Sequence, residues 1–97
     1  MPLTARQKKH LRALCHGLNP VVAVGDKGLT ENVLAEIETA LDHHELVKIK
    51  LRGDRGARAS WAEQIAARCR AEQVQAIGQV ACFYRRNPEK TVVAVPE

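Results

Sequence analysis

The sequence predicts an α/β fold of order αβαβαββ, with helices packed on a mixed four-stranded sheet. Three observations carry that expectation. Apolar residues at helical spacing alternate along the chain with short β-branched runs. Glycine-bearing turns separate most of these segments. No repeat, low-complexity segment or linker interrupts the 97 residues, so the whole of 1–97 reads as a single domain. A chain of this length buries roughly 60–70% of its unfolded surface, enough for one modest core.

The first helix is expected over about Thr4 to His16. Thr4 and Gln7 fit a capping box, and Gly17 follows the last turn. Leu11, Leu14, Cys15 and Leu18 form its apolar stripe, with Arg6, Lys9, Arg12 and His16 opposite and Lys8 at the flank. Val21–Val24 reads as a strand covered on both faces beside a parallel neighbour. A second helix, capped at Thr30, runs to His43 or His44 through Val33, Leu34, Ile37 and Leu41, with an acidic outer face. Leu46–Leu51 alternates as a strand, placing Lys48 and Lys50 on one face. Gly53–Gly56 reads as a turn, and a third helix follows over about Ala57 to Glu72, packing through Trp61, Ala62, Ile65 and Cys69. Val74 to Arg85 is strand-like, with Gly78-Gln79 as a two-residue hairpin in preference to a bulge at Gly78. Thr91–Val95 has the composition of a short edge strand.

Composition narrows the function classes. Aromatic residues make up 3% of the chain (Trp61, Phe83 and Tyr84), which disfavours RNA modules that stack bases on sheet aromatics. No apolar run approaches the ~20 residues of a membrane span, and the first residues do not open a signal peptide. Three widely spaced cysteines without a CxxC pair read as buried, reduced thiols of a cytoplasmic protein. The net charge is +4, unevenly distributed: residues 1–17 carry +4 with no acid, 18–54 carry −3 and 55–97 carry +3. Such asymmetry points to a basic surface facing an acidic partner, most commonly nucleic acid.

Gly25-Asp26-Lys27-Gly28 joins the first strand to the second helix. Glycines there let the backbone turn and approach a phosphate closely, while the helix start presents free N–H groups and Lys27 adds a charge. The same GxxG device clamps nucleic-acid backbones in KH domains. Two glycines also serve simply to turn a chain, and Asp26 sets a carboxylate against any phosphate.

Together with other blocks, this junction makes the chain resemble the CRM domain family, in its stand-alone bacterial YhbY-like form. The matching residues are Leu3-Thr4, Gln7-Lys8, His10-Leu11, Leu14, His16, Pro20-Val21-Val22, Gly25 to Thr30, Val33-Leu34, Glu36-Ile37, Ala40-Leu41, His44 to Lys48, Ile77-Gly78 and Tyr84-Arg85. The third helix matches only in periodicity. The resemblance implies a fold like the C-terminal domain of bacterial translation initiation factor three with an extra N-terminal helix. It also implies association with precursors of the large ribosomal subunit. By position it assigns RNA contacts to Gly25, Lys27, Gly28 and Thr30, with Lys8, Lys9 and Arg12 beside them.

Arg6 joins those basic residues through the helix face it shares, and Arg85 with Arg86 extends the basic surface. The expectation is therefore a non-enzymatic, monomeric RNA-binding protein that needs no cofactor, metal or small-molecule substrate and does not engage membranes. The rival reading is a protein-interaction module that docks an acidic partner on the basic helix. A nucleic-acid-processing enzyme would need a clustered catalytic set, which the sequence lacks. Four histidines without metal-ligand spacing read as helix-end and surface residues.

Overall fold

The computed structural model describes residues 3–95. The elements are α1 (Ala5–Cys15), β1 (Val22–Val24), α2 (Glu31–His44), β2 (Leu46–Leu51), α3 (Arg55–Arg68), β3 (Glu72–Ile77) and β4 (Val80–Tyr84). The sheet order is β1-β2-β4-β3. β1 and β2 are parallel, and the β2–β4 and β4–β3 pairs are antiparallel. The expected mixed sheet and element order are present.

Side-chain alternation divides the apolar residues between two faces. Val22, Val24, Val47, Ile49, Leu51 and Phe83 face α2 and α3, which supply Leu34, Ile37, Leu41 and Ile65. On the other face, Leu46, Val74, Cys82 and Tyr84 receive Leu11 and Cys15 of α1. One helix against two makes a three-layer arrangement, and α1 is too short to roof the whole of its face. β1 is consequently covered on one side only: Val22 and Val24 are buried while Ala23 between them is exposed, contrary to the two-sided burial expected. Leu14 is also 41% exposed and falls outside the stripe assigned to it.

The helix ends follow their caps. Thr4 and Gln7 form the full capping box of α1, and Thr30 accepts the Val33 amide at the start of α2. The third helix begins and ends earlier than expected. Asp54 accepts the Ala57 amide at 2.8 Å, so the segment read as a turn is already the N-cap and first turn. The helix stops at Cys69, and Arg70 takes a positive φ of 53° before β3. The hairpin at Gly78-Gln79 is formed, Gly78 having a φ of +55°. A separate register irregularity lies between Gln73 and Gln75.

Residues 91–95 do not form the expected edge strand. The tail is held instead by Glu45, which is fully buried at the end of α2. One carboxylate oxygen accepts the amides of Val92 and Val93 at 2.6 and 2.8 Å, and the other accepts that of Asn87 at 2.6 Å. These amides are the donors an edge strand would have used, so the tail docks on a side chain rather than on the sheet.

Candidate nucleic-acid interface

The loop at 25–28 is a closed turn. The Gly28 amide donates to the Gly25 carbonyl at 2.8 Å, which leaves Asp26 and Lys27 exposed at the two central positions. Gly28 has a φ of +69°, a conformation that favours glycine. Gly25 is different. Its φ lies outside the left-handed region, and a Cβ added there would meet nothing within 4 Å. Neither backbone conformation nor packing requires glycine at 25, which leaves an open stretch of backbone beside the charged tip.

The loop leads into α2, whose amides at Glu31 and Asn32 have no intrahelical acceptor. Thr30 is the cap: its hydroxyl oxygen accepts from Val33, and its own proton stays available to a ligand. Glu31, which would oppose an anion there, is paired with Arg68 at 3.1 Å. The loop rests on Trp61: an added Cβ at Gly28 would lie 3.5 Å from the indole nitrogen. The same ring blocks Gly53, where a Cβ would come within 2.7 Å. Trp61 is thus a half-buried strut and not an exposed stacking platform.

Trp61 also brings the β2–α3 connection beside the loop. The Arg52 amide donates to the Val24 carbonyl at 2.8 Å, and Arg58 bonds the Gly53 carbonyl at 3.0 Å. Arg52 and Arg58 are therefore anchored beside the turn, with Arg55 further along on the groove side of α3, and none of them was singled out from the sequence. The available signal was topological: β1 and β2 are parallel neighbours, so their exits lie at the same edge of the sheet.

The basic helix lies elsewhere. The Leu3 amide donates to Glu72 at 2.9 Å, which fixes the start of α1 at the end of the sheet where Glu72, Tyr84 and Leu46 align. The loop leaves the opposite end, where Val24 pairs with Leu51. The two ends are separated by about 17 Å of strand. Arg6 and Lys9 are exposed on α1 and Lys8 is half-buried, so they do not sit beside the loop as the resemblance implied. Arg12 reaches furthest, its Nε donating to the Val74 carbonyl at 3.1 Å.

Arg85 requires a correction. Its side chain is 20% exposed, and Nη1 and Nη2 donate to Glu38 Oε1, Asp42 Oδ1 and the carbonyls of Cys69 and Glu38. All four terminal N–H groups are occupied in tying β4 to α2 and α3, so it adds nothing to the basic surface. Arg86 remains exposed.

Three further groups are structural. Cys15, Cys69 and Cys82 are buried and free. Burial, reinforced by Cys82, pushes the Cys15 thiol up to about 12, and burial with Glu38 nearby pushes Cys69 up to about 11. Both are poor nucleophiles at neutral pH. Among the described residues no three His, Cys, Asp or Glu side chains gather as a metal site, and no helix is long and apolar enough to cross a membrane. An open groove between α3 and the hairpin has small side chains on its floor (Ala62, Ala66, Ala76) and Arg55 and Arg58 at its rim.

Comparison with known proteins agrees with the fold and gives the family. The chain is 46% identical over 90 residues to the Pseudomonas aeruginosa protein named "Probable RNA-binding protein PA4753", covering 92% of this chain and 86% of that one. It is 47% identical over 91 residues to a Haemophilus influenzae protein named "RNA-binding protein", covering 93% and 92% respectively. The solution structure of SAV1595 from Staphylococcus aureus, described as a candidate RNA-binding protein, superposes with a TM-score of 0.85 at 31% identity. That match covers 98% of this chain and 100% of SAV1595. The model of the CRS1/YhbY (CRM) domain matches residues 3–85. With family model, fold and relatives in accord, the chain belongs to the CRS1/YhbY (CRM) domain family.

Proposed function

We propose that the chain is an RNA-binding protein that acts by association, without catalysing a reaction, on precursors of the large ribosomal subunit. The observation that carries this reading is the turn at 25–28. It joins backbone open at Gly25, a free ammonium at Lys27 and the amides at the start of α2 on one exposed edge. A backbone phosphate of structured RNA fits that combination: the amides orient it, and Lys27 supplies a point charge. Arg52 and Arg58 lie on neighbouring phosphates, Arg55 stands further along the start of α3, and α1 adds a more distant basic surface. Affinity of this kind is steeply dependent on salt and modestly dependent on sequence. The names of the relatives support RNA as the ligand. Buried free thiols fit a reducing, cytoplasmic setting, and we take the acting form to be a monomer.

The test is sucrose-gradient sedimentation of the tagged protein from its native lysate, at low and high salt, beside Lys27→Glu. Co-migration with large-subunit precursors that is lost at high salt and weakened by the substitution is expected. Migration at the top of the gradient at both salts would end the ribosome-assembly proposal. Co-migration unaffected by Lys27→Glu would remove the loop from the mechanism.

A further inference from the structure

One row of side chains crosses the full width of the sheet on the face that α1 only partly covers. Ala23 pairs with Lys50, Lys50 with Val80, and Val80 with Ile77. Alternation places all four on the α1 side, since Val22, Val24, Ile49, Leu51 and Ala81 belong to the opposite core. Ala23 is exposed, Ile77 is 57% exposed, and Lys50 and Val80 are half-covered. The next row, Lys48–Cys82–Gln75, passes under the edge of α1, where Cys82 meets Leu11 and Cys15. A sheet row with three aliphatic side chains and one lysine is poorly suited to water. It begins two residues before Gly25 and ends at the β3 edge, along which Arg12 is bonded to the Val74 carbonyl. No acidic residue occurs in either row.

We infer that an unpaired stretch of RNA leaves the 25–28 turn and crosses this open row, with Lys50 and Lys48 on its phosphates and Ile77 and Val80 against its sugars and bases. The inference rests on the RNA-binding reading above and assigns that site its second half. The two lysines are two residues apart on one strand, roughly 6.6 Å along it, and project to the same side. Because the row runs across the strands, the two lysines stand side by side at one point of the crossing, within reach of the same stretch of backbone. An A-form duplex would present its phosphate ridges and leave the aliphatic floor without a partner.

The test is fluorescence anisotropy of the full chain with a labelled oligouridylate and with an RNA duplex of equal length, across a salt series. Lys50→Gln is expected to lower the salt slope for oligouridylate by about 0.7, one phosphate contact. Ile77→Ser is expected to weaken oligouridylate binding roughly three- to tenfold with the slope unchanged and duplex binding unaffected. Ile77 is exposed and Lys50 half-covered, and thermal unfolding of each variant checks the fold. In the unmodified protein, a 4-thiouridine oligonucleotide should crosslink within the tryptic peptide 71–85. Wild-type affinity and slope in both variants, with Lys27→Gln weakened, would overturn the crossing while the loop reading stands, and would leave the row to a protein partner. An unaffected Lys27→Gln as well would remove both. Binding of duplex alone would also overturn it.

Discussion

Glu45→Gln isolates the interaction that holds the C-terminal tail. The carboxylate is fully buried and receives three backbone amides, two on one oxygen and one on the other. A glutamine can keep its carbonyl toward Val92 and Val93, but its amide nitrogen then faces the Asn87 N–H, donor against donor. Three charge-assisted bonds become two neutral ones and one unmade contact. At about 2 kcal/mol for a charged bond and about 1 for a neutral one, the gross loss is about 4 kcal/mol. Undocking of the tail sets a ceiling, since freed amides can return to water. A net loss of about 2–4 kcal/mol is expected. Glu45 also has a φ of 61°, unusual for a non-glycine residue. Glu45→Gly would relieve that strain yet still lose the carboxylate, so it too should be destabilised.

The assay is urea unfolding with hydrogen exchange at Asn87, Val92 and Val93. Burial pushes the Glu45 carboxyl upward, but the three amides and Arg86 outweigh it and hold its pKa below the usual 4.5. A depressed carboxylate contributes its stability above the unfolded-state pKa and loses it as acid titrates the folded form. The deficit of Glu45→Gln should therefore be full above pH about 5 and shrink below about 4.5. Slow exchange at those three amides in Glu45→Gln, with an unchanged urea midpoint, would refute the account. So would a deficit that grows in acid.

Two further substitutions separate folding from binding. Gly25→Ala should leave stability within about 0.5 kcal/mol of wild type while weakening RNA binding; Gly28→Ala should cost about 1–2 kcal/mol because of its positive φ. Calorimetry beside anisotropy reads that split, and equal stability losses at both positions would contradict it. Arg85→Lys should lower stability by about 2–3 kcal/mol, mostly through the lost carbonyl bonds because Glu38 and Asp42 are partly solvated. It should leave the RNA salt slope unchanged, and a shallower slope without loss of stability would return Arg85 to the interface.

The sequence made the element order legible because each helix carries its own cap and each strand its own period. Thr4, Thr30, Gly78 and the alternation of Leu46–Leu51 are local signals, read within a few residues of where they act. What escaped was set by distant partners. Arg85 looks like surface charge until β4 brings it under Glu38 and Asp42. Glu45 looks like one more acid at the end of an acidic helix until the tail folds back onto it. Thr91–Val95 has strand composition, but its amides are satisfied by a carboxylate more than forty residues earlier. Within the candidate site, the turn and its glycines were legible from the sequence. Its arginine flank was not, since the helix periodicity that suggested α3 says nothing about what its first turn adjoins.

That flank decides how the site can work. Asp26 offsets Lys27, so the turn itself brings almost no net charge to a phosphate, however well its backbone is placed. Arg68 relieves Glu31 but adds nothing at the tip. In the proposed complex the turn is therefore chiefly a positioning element, Lys27 aims a local charge, and most of the net attraction comes from residues around it. Arg55 stands at the first position of α3, where the helix dipole favours an acid, and no acidic residue occupies that first turn. Arg52 is exposed on the adjacent strand exit, and Arg58 follows on the next turn of the helix. The one carboxylate at this helix end is the cap, Asp54, whose side chain is committed to the Ala57 amide. A cationic helix start costs a few tenths of a kcal/mol to about 1 kcal/mol. In the proposed complex a polyanion lying across the helix start would offset that cost at Arg55, beside the backbone left open at Gly25.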